Sequence, residues 1–369
     1  MLGLPPPRPL GVGIVGLTPG RSWAARAHVP ALRALPDFEL VGVASSSPET
    51  AAAAAQALGI PRSYASVREL VRDPSVDIVA VTVKVPHHRE IVDAALDAGK
   101  SVYCEWPLGT GLADAEAMAD TAARLGLRTA IGLQARSSPT IRYVRDLVRG
   151  GFVGEVLSTT MVGSSGSMGA SESEHLAYLN DLANGANVLT IPFGHAIDAL
   201  CWVLGEFREV TATLATRRTT YVVTETQETR TRDIADQVIV SGTLASGIAV
   251  AAHYRGGSSR ATNFRWEING ADGDLEITAP SGQAQATQLT LRGARGASRD
   301  MELMPVPVDY RATPAELSGP AVNVAEAYAR FAQGPAAADQ IPDFDDAVRL
   351  HRLIDAIERS AASGARVHL

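Results

Sequence analysis

His195 is the side chain in this sequence best suited to proton chemistry. It opens an apolar helical pattern that runs to Leu204, and an imidazole exchanges protons near working pH without large tuning. A base that takes a hydroxyl proton while hydride leaves the same carbon needs that property. A histidine that only caps the helix is the plain alternative. Lys84 interrupts the apolar run Ile78 to Val85, which reads as a central strand. At the carboxyl end of a parallel strand, where such sheets bind ligands, it can reach a ribose or substrate oxygen; a solvated strand-end lysine is the alternative. Upstream of His195, the cluster Tyr178, Asp181, Asn184 and Asn187 offers hydrogen bonds to a polyol, with Tyr178 a second candidate acid or base. The same residue types also build ordinary turns. Gln134 and Arg136 either line a cleft or form a hinge. His87 and His88 are adjacent and point apart, so no metal site is expected.

The elements that would position these groups follow from hydrophobic periodicity. Strands at residues 12–15, 40–44, 78–85, 101–104 and 128–132 alternate with helices at 22–34, 49–58, 67–71, 90–98 and 112–125. That alternation predicts a doubly wound parallel α/β sheet in a first domain, residues 1–135. A second domain, residues 136–369, starts with a helix at 140–149. Strand patterns follow at 155–162, 209–216, 235–244, 247–254, 263–269, 274–278 and 288–292. Short turns such as Ala245-Ser246-Gly247 make these mainly antiparallel, so the domain reads as α+β with a large open sheet. The tail, 322–362, is helical and expected to pack back on the first domain.

Gly11-Val12-Gly13-Ile14-Val15-Gly16 matches G-x-G-x-x-G, but the match lies inside the first strand, whereas that fingerprint requires its glycines in the turn. The working register runs from Gly16 through Leu17, Thr18, Pro19 and Gly20 to a helix capped by Ser22, whose first amides would face a diphosphate. The second strand ends in Ala44-Ser45-Ser46-Ser47, with no carboxylate for the adenosine ribose. Ser45, Ser46 and Ser47 do not repel a 2′-phosphate and can hydrogen-bond it, which tilts the expected cofactor toward NADP, with NAD the alternative. Ser46 or Ser47 as a helix cap is the competing role.

At 369 residues, 46% hydrophobic and 20% charged, the chain is long enough for two cores. Its net charge of -7 gives no broad positive field, so nucleic acid is not an expected partner. Cys104 and Cys201 are far apart and read as free buried thiols. The proline-rich start, Met1 to Leu10, lacks a secretory apolar run, and no later stretch of about 18 apolar residues is apparent. A cytoplasmic enzyme acting on a small molecule, with no membrane partner, is the expectation.

In order and over nearly its whole length the chain resembles the Gfo/Idh/MocA oxidoreductases. The match is carried by Gly13-Ile14-Val15-Gly16 with Ala27-His28, Val76-Asp77-Ile78-Val79, Ala98 through Pro107, Gly154-Glu155-Val156 and His195-Ala196-Ile197-Asp198. The resemblance implies hydride transfer to or from sugars, cyclitols and related polyols, and a dimer or tetramer built on the open sheet. It also extends the cofactor-binding set, adding Trp23, Val83, Lys84, His88, Glu105, Trp106, Pro107 and Gln134 to Gly16, Leu17, Thr18, Gly20, Ser22 and the serines. Arg136, Asp181, Asn184 and Asn187 become substrate candidates, with His195, Lys84 and Tyr178 catalytic. Two departures stand out. The family's Glu-Lys-Pro is here Glu105-Trp106-Pro107, and the aspartate expected shortly before His195 is replaced in Leu189-Thr190-Ile191-Pro192. Both resemble the branch containing the eukaryotic galactose-pathway repressor, which binds a dinucleotide without catalysis, so a metabolite-sensing regulator is the alternative to an enzyme.

Overall fold

Strand β1, Leu10–Val15, carries two glycines that decide how closely neighbouring layers approach it. The computed structural model describes residues 8–334 and 341–369, so most of the proline-rich start lies outside the described residues. β1 sits inside a six-stranded parallel sheet with β2 (Phe38–Ala44), β3 (Arg62–Ser63), β4 (Ile78–Val81), β5 (Ser101–Cys104) and β6 (Thr129–Ile131). The order is β3-β2-β1-β4-β5-β6, the doubly wound order, with its reversal between β1 and β4. Helices α1 (Val29–Arg33), α2 (Pro48–Leu58), α3 (Val67–Arg72), α4 (His88–Asp97) and α5 (Leu112–Leu125) alternate with the strands.

Successive β1 side chains face opposite sides. Val12 and Ile14 join an apolar core with Leu32 of α1, Ala54 of α2 and Tyr328 of a later helix, Ala321–Ala332. On the other side, a Cβ at Gly13 would lie 2.8 Å from Leu70 of α3, so the glycine lets that helix pack directly on the strand. The helix expected over 22–34 is interrupted. A π-turn, Ala24–His28, precedes α1, and the Val29 amide reaches back to the Ala24 carbonyl. Pro30, without an amide proton, cannot continue the regular ladder.

The chain forms two compact units. The first takes residues up to Leu108, Glu116–Gly132 and Ala312–Asp345; the second takes Gly109–Ala115, Leu133–Arg311 and Asp346–Leu369. In the second unit, nine strands run in the order β17-β16-β15-β14-β7-β13-β12-β9-β18. These are β7 (Val156–Ser164), β9 (Phe207–Ala215), β12 (Gln237–Leu244), β13 (Ala249–Arg255), β14 (Phe264–Gly270), β15 (Gly273–Ala279), β16 (Thr290–Arg295), β17 (Glu302–Leu303) and β18 (Val367–His368). All neighbours are antiparallel except β7 and β13. A small sheet that the sequence pattern did not reveal joins β8 (Ser171–Glu172), β10 (Thr220–Val223) and β11 (Thr229–Thr231).

Helices α6 (Pro139–Arg149) and α7 (Gly194–Leu204) pack together in this unit, and Phe193 meets the Tyr254 ring of β13 edge-on at 5.7 Å. The stretch Leu182–Leu204 is long and apolar enough to cross a membrane, contrary to the expectation that no such run exists. Apart from its exposed first residues, Leu182 and Ala183, it is mostly buried inside the protein, as a core helix is. The tail is two helices rather than one, α8 (Ala321–Ala332) and α9 (Phe344–Ser363). The expected helix also spanned 335–340, which lie outside the described residues. α8 packs against α1 and the π-turn of the first unit.

Candidate functional site

Three turns at the carboxyl ends of β1, β4 and β5 are tied together in the first unit. The β1 turn begins at Gly16 with φ +99°, and a Cβ there would stand 2.9 Å from the Val83 amide nitrogen, so both backbone and space require glycine. Gly11 and Gly13 are paired inside the sheet, which leaves Gly16 as the start of the functional register. Leu17 is fully buried in the core and offers only its backbone. Thr18 is exposed, and Gly20 adopts φ +70° with open space around it. Ser22 Oγ accepts from the Thr18 and Ala25 amides and donates to the Thr18 carbonyl, so it closes the turn. Trp23 Nε1 is buried and has no partner among the described residues. A turn bounded by two positive-φ glycines and leading into a helical run, together with an orphaned buried donor, fits a dinucleotide diphosphate.

At the end of β2, Ser47 accepts from the Thr50 amide and caps α2, the competing role named for it. Ser45 is half-buried and Ser46 exposed. β4 stops at Val81, four residues earlier than expected. Thr82 Oγ donates to the carbonyls of Val15 and Gly16, drawing the chain toward the glycine turn, and Pro86 then sets a short 3-10 turn, Val85–His87. Lys84 therefore lies in the loop with an exposed side chain, not buried in a strand. His88 is fully inside: Nδ1 is 2.9 Å from the Pro107 carbonyl and Nε2 3.1 Å from that of Val83. Burial pulls its imidazole below the ordinary value. Its ring joins the Val83 and Pro107 turns instead of offering itself to a ligand.

Glu105 is held from behind. His28 Nε2 lies 2.7 Å from Glu105 Oε1, and His28 Nδ1 lies 2.9 Å from the Tyr328 hydroxyl. Trp106 and Pro107 are buried and joined by a cis peptide. Thr82, His88 and His28 thus lace the three turns into one frame. In the sequence His28 stands only as part of the Ala27-His28 motif; its partner 77 residues away leaves no trace in local spacing.

In the second unit, His195 lies in the first turn of α7 and is 4% exposed. Burial pushes its imidazole down to about 3, which overturns the expectation of a ring titrating near neutrality. Its Nδ1 has no partner among the described residues. Arg136 is not available to line a cleft. Nε and Nη2 donate to the two Asp198 oxygens at 2.9 and 2.5 Å, and Nη1 donates to Asp346 Oδ1 at 2.8 Å, all buried. Burial works against that charge, and the two carboxylates outweigh it and raise its pKa. Asp198, in the His195 motif, and Asp346, absent from the sequence reading, form the counter-charge. Gln134 is buried at the head of the same 3-10 turn, Gln134–Ser137.

The polar cluster is largely committed to turns. Asp181 accepts from the Ala183 amide, and Asn184 donates to the Tyr178 carbonyl. Asn187 Oδ1 accepts from the Leu189 and Thr190 amides, capping the π-turn Leu189–Phe193 that leads into α7. Tyr178 is partly buried, and burial together with Glu172 raises its phenol above the ordinary value. Cys104 and Cys201 are buried free thiols. Among the described residues, no group of three or more His, Cys, Asp or Glu is placed to hold a metal ion.

A parallel sheet with a glycine turn at its switch point, and a second unit built on an open mixed sheet, are the two parts of the fold of the NAD-binding Rossmann oxidoreductases. The profile of that family, the GFO_IDH_MocA oxidoreductases, matches residues 10–133, and the profile of the Gal80p C-terminal domain matches residues 139–279. A dehydrogenase, aclE of Aspergillus oryzae, is 32% identical over 365 residues, covering 96% of both chains. The 1,5-anhydro-D-fructose reductase of Ensifer adhaerens is 28% identical over 78% of this chain and 81% of its own. The crystal structure of the transcriptional regulator Gal80p from Kluyveromyces lactis superposes with a TM-score of 0.84 at 26% identity, over 98% of this chain and 94% of that one. The chain belongs to the Gfo/Idh/MocA family, in its Gal80-like branch.

Proposed function

We propose that the chain is an NAD(P)-dependent dehydrogenase or reductase whose substrate is the carbinol or carbonyl of a sugar, cyclitol or sugar-like metabolite. The observation that carries this reading is His195, a buried imidazole whose Nδ1 has no partner among the described residues and which a substrate hydroxyl would satisfy. Bound nicotinamide supplies the two-electron acceptor or donor. A bound substrate hydroxyl would give the ring the polar neighbour that Nδ1 lacks among the described residues; in the oxidative direction His195 Nδ1 would then take the hydroxyl proton as the carbonyl forms and hydride passes to the cofactor, and in the reverse it would return that proton. Tyr178, kept protonated by burial and Glu172, donates to a substrate oxygen. Lys84, on its exposed loop, orients a ribose or substrate oxygen as a cation in place of the lysine that Trp106 displaces. The Gly16–Gly20 turn and the serines after β2 hold the dinucleotide, with NADP preferred to NAD because no carboxylate opposes a 2′-phosphate. Relatives named as a dehydrogenase and a sugar reductase support the class.

Cofactor absorbance across a panel of sugars, anhydrosugars and cyclitols tests this. Turnover with at least one member is expected, and His195→Ala lowers it by about 10² or more; near-normal turnover in that variant rejects His195 as the base. A second reading, a dinucleotide-binding regulator, is favoured by Trp106 at the lysine position and by the Gal80p-type second unit. Tight dinucleotide binding with no turnover across the panel selects it.

A further inference from the structure

The row Tyr328, His28 and Glu105 draws on three elements: α8, the π-turn behind Gly20, and the turn after β5. Its protons can be assigned. Tyr328 is fully buried, and burial together with Glu105 holds its phenol well above the ordinary value, so it is protonated. The hydroxyl lies 2.9 Å from His28 Nδ1 and donates to it. With Nδ1 accepting, the ring proton sits on Nε2, 2.7 Å from Glu105 Oε1, and donates to that carboxylate. Tyr103 and Tyr328 stand edge-on to the imidazole at 5.2 and 5.7 Å, which leaves the ring little freedom to turn. The row becomes more accessible toward its carboxylate end: the His28 side chain is 0% exposed and that of Glu105 13%. With Trp106 in the lysine position, Glu105 is the ionisable side chain of its turn.

We propose that His28, its tautomer set by Tyr328, is a positioning residue that holds the Glu105 carboxylate in one orientation at the dinucleotide site. It thereby couples the turn that receives the diphosphate to the turn expected to face the nicotinamide. The effect on binding rests on the cofactor reading above. The tautomer and the carboxylate orientation are properties of the free protein.

The experiment has two arms. Long-range proton–nitrogen spectra of the free protein should show His28 as the Nε2–H tautomer, with its Nδ1 resonance displaced in Tyr328→Phe. Dinucleotide titrations should show about a tenfold or greater loss of affinity in His28→Leu, the scale of one charge-assisted hydrogen bond. His28→Gln, whose amide can donate to Glu105, should recover most of that loss, which a purely packing role would not allow. An Nδ1–H tautomer in the wild type, undiminished affinity in His28→Leu, or equal losses in the Leu and Gln variants each overturns the proposal. Failure of the wild type to bind dinucleotide removes the cofactor reading instead, and the spectra of the wild type and Tyr328→Phe still decide the assignment of His28.

Discussion

Replacing His195 by Asn should flatten the acid limb of the protein's stability curve. The unfolded chain protonates this imidazole below about pH 6.5, whereas the folded chain holds it neutral down to about 3 because burial disfavours the cation. A group whose folded value lies below its unfolded value gives stability that is complete above the unfolded value and lost as pH falls. Integrating between those two values, the loss on going from pH 7 to pH 5 is about 2 kcal/mol from this one side chain. Because the ring is buried, solvent screening does not reduce that figure as it would at the surface. His351, pushed down to about 4 by burial, adds a slope of the same sign to both proteins, so the difference between wild type and variant isolates His195. Urea unfolding at pH 7 and pH 5 reads the effect. The wild type should lose about 2 kcal/mol more than His195→Asn over this interval, with similar m-values. Parallel losses in the two proteins would falsify the buried neutral assignment, and with it the idea that a neutral imidazole waits for a substrate proton.

Three further outcomes follow from the geometry. Arg136→Ala leaves Asp198 buried without its counter-charge, while Asp346 keeps Arg349, and should cost about 3–5 kcal/mol in denaturant unfolding, whereas Arg136→Met paired with Asp198→Leu should recover part of it. Gly16→Ala forces a side chain into a φ of +99° and against the Val83 amide, so dinucleotide titration should show at least a tenfold loss of affinity. The second unit's broad sheet predicts a dimer or tetramer, read by light scattering; a monomer at working concentration contradicts it.

What the sequence disclosed divides by the range of the interaction involved. The alternation of apolar runs located five of the six strands of the parallel sheet, all but the two-residue β3 at its edge, and the requirement that phosphate glycines lie in a turn chose Gly16 over Gly11. Local patterning failed where a distant partner decides the local shape. The apolar run to Val85 looked like one strand, but Thr82 is captured by carbonyls 66 and 67 residues back. Arg136 looked like a cleft cation because both its carboxylate partners are remote, Asp198 by 62 residues and Asp346 by 210. The spacing of the polar residues before His195 suits both ligand groups and turn chemistry. Bonds spanning two to six residues absorb Asp181, Asn184 and Asn187, at a scale that sequence spacing does indicate.

α8 enters the core of a unit whose sheet is otherwise finished at β6. Between those two elements the ribosome makes roughly 190 residues, on the order of 10–40 s of synthesis. During that interval the apolar side of β1 and α1 lacks Tyr328 and Phe331, and His28 lacks the hydroxyl that orients it. Residues 1–135 expressed alone would carry the same deficit permanently, so a minimal nucleotide-binding fragment of this protein must include the segment through α8. The second unit has its long central strands in hand before α8 emerges, yet it too is closed late, by Asp346–Leu369, whose β18 pairs with β9.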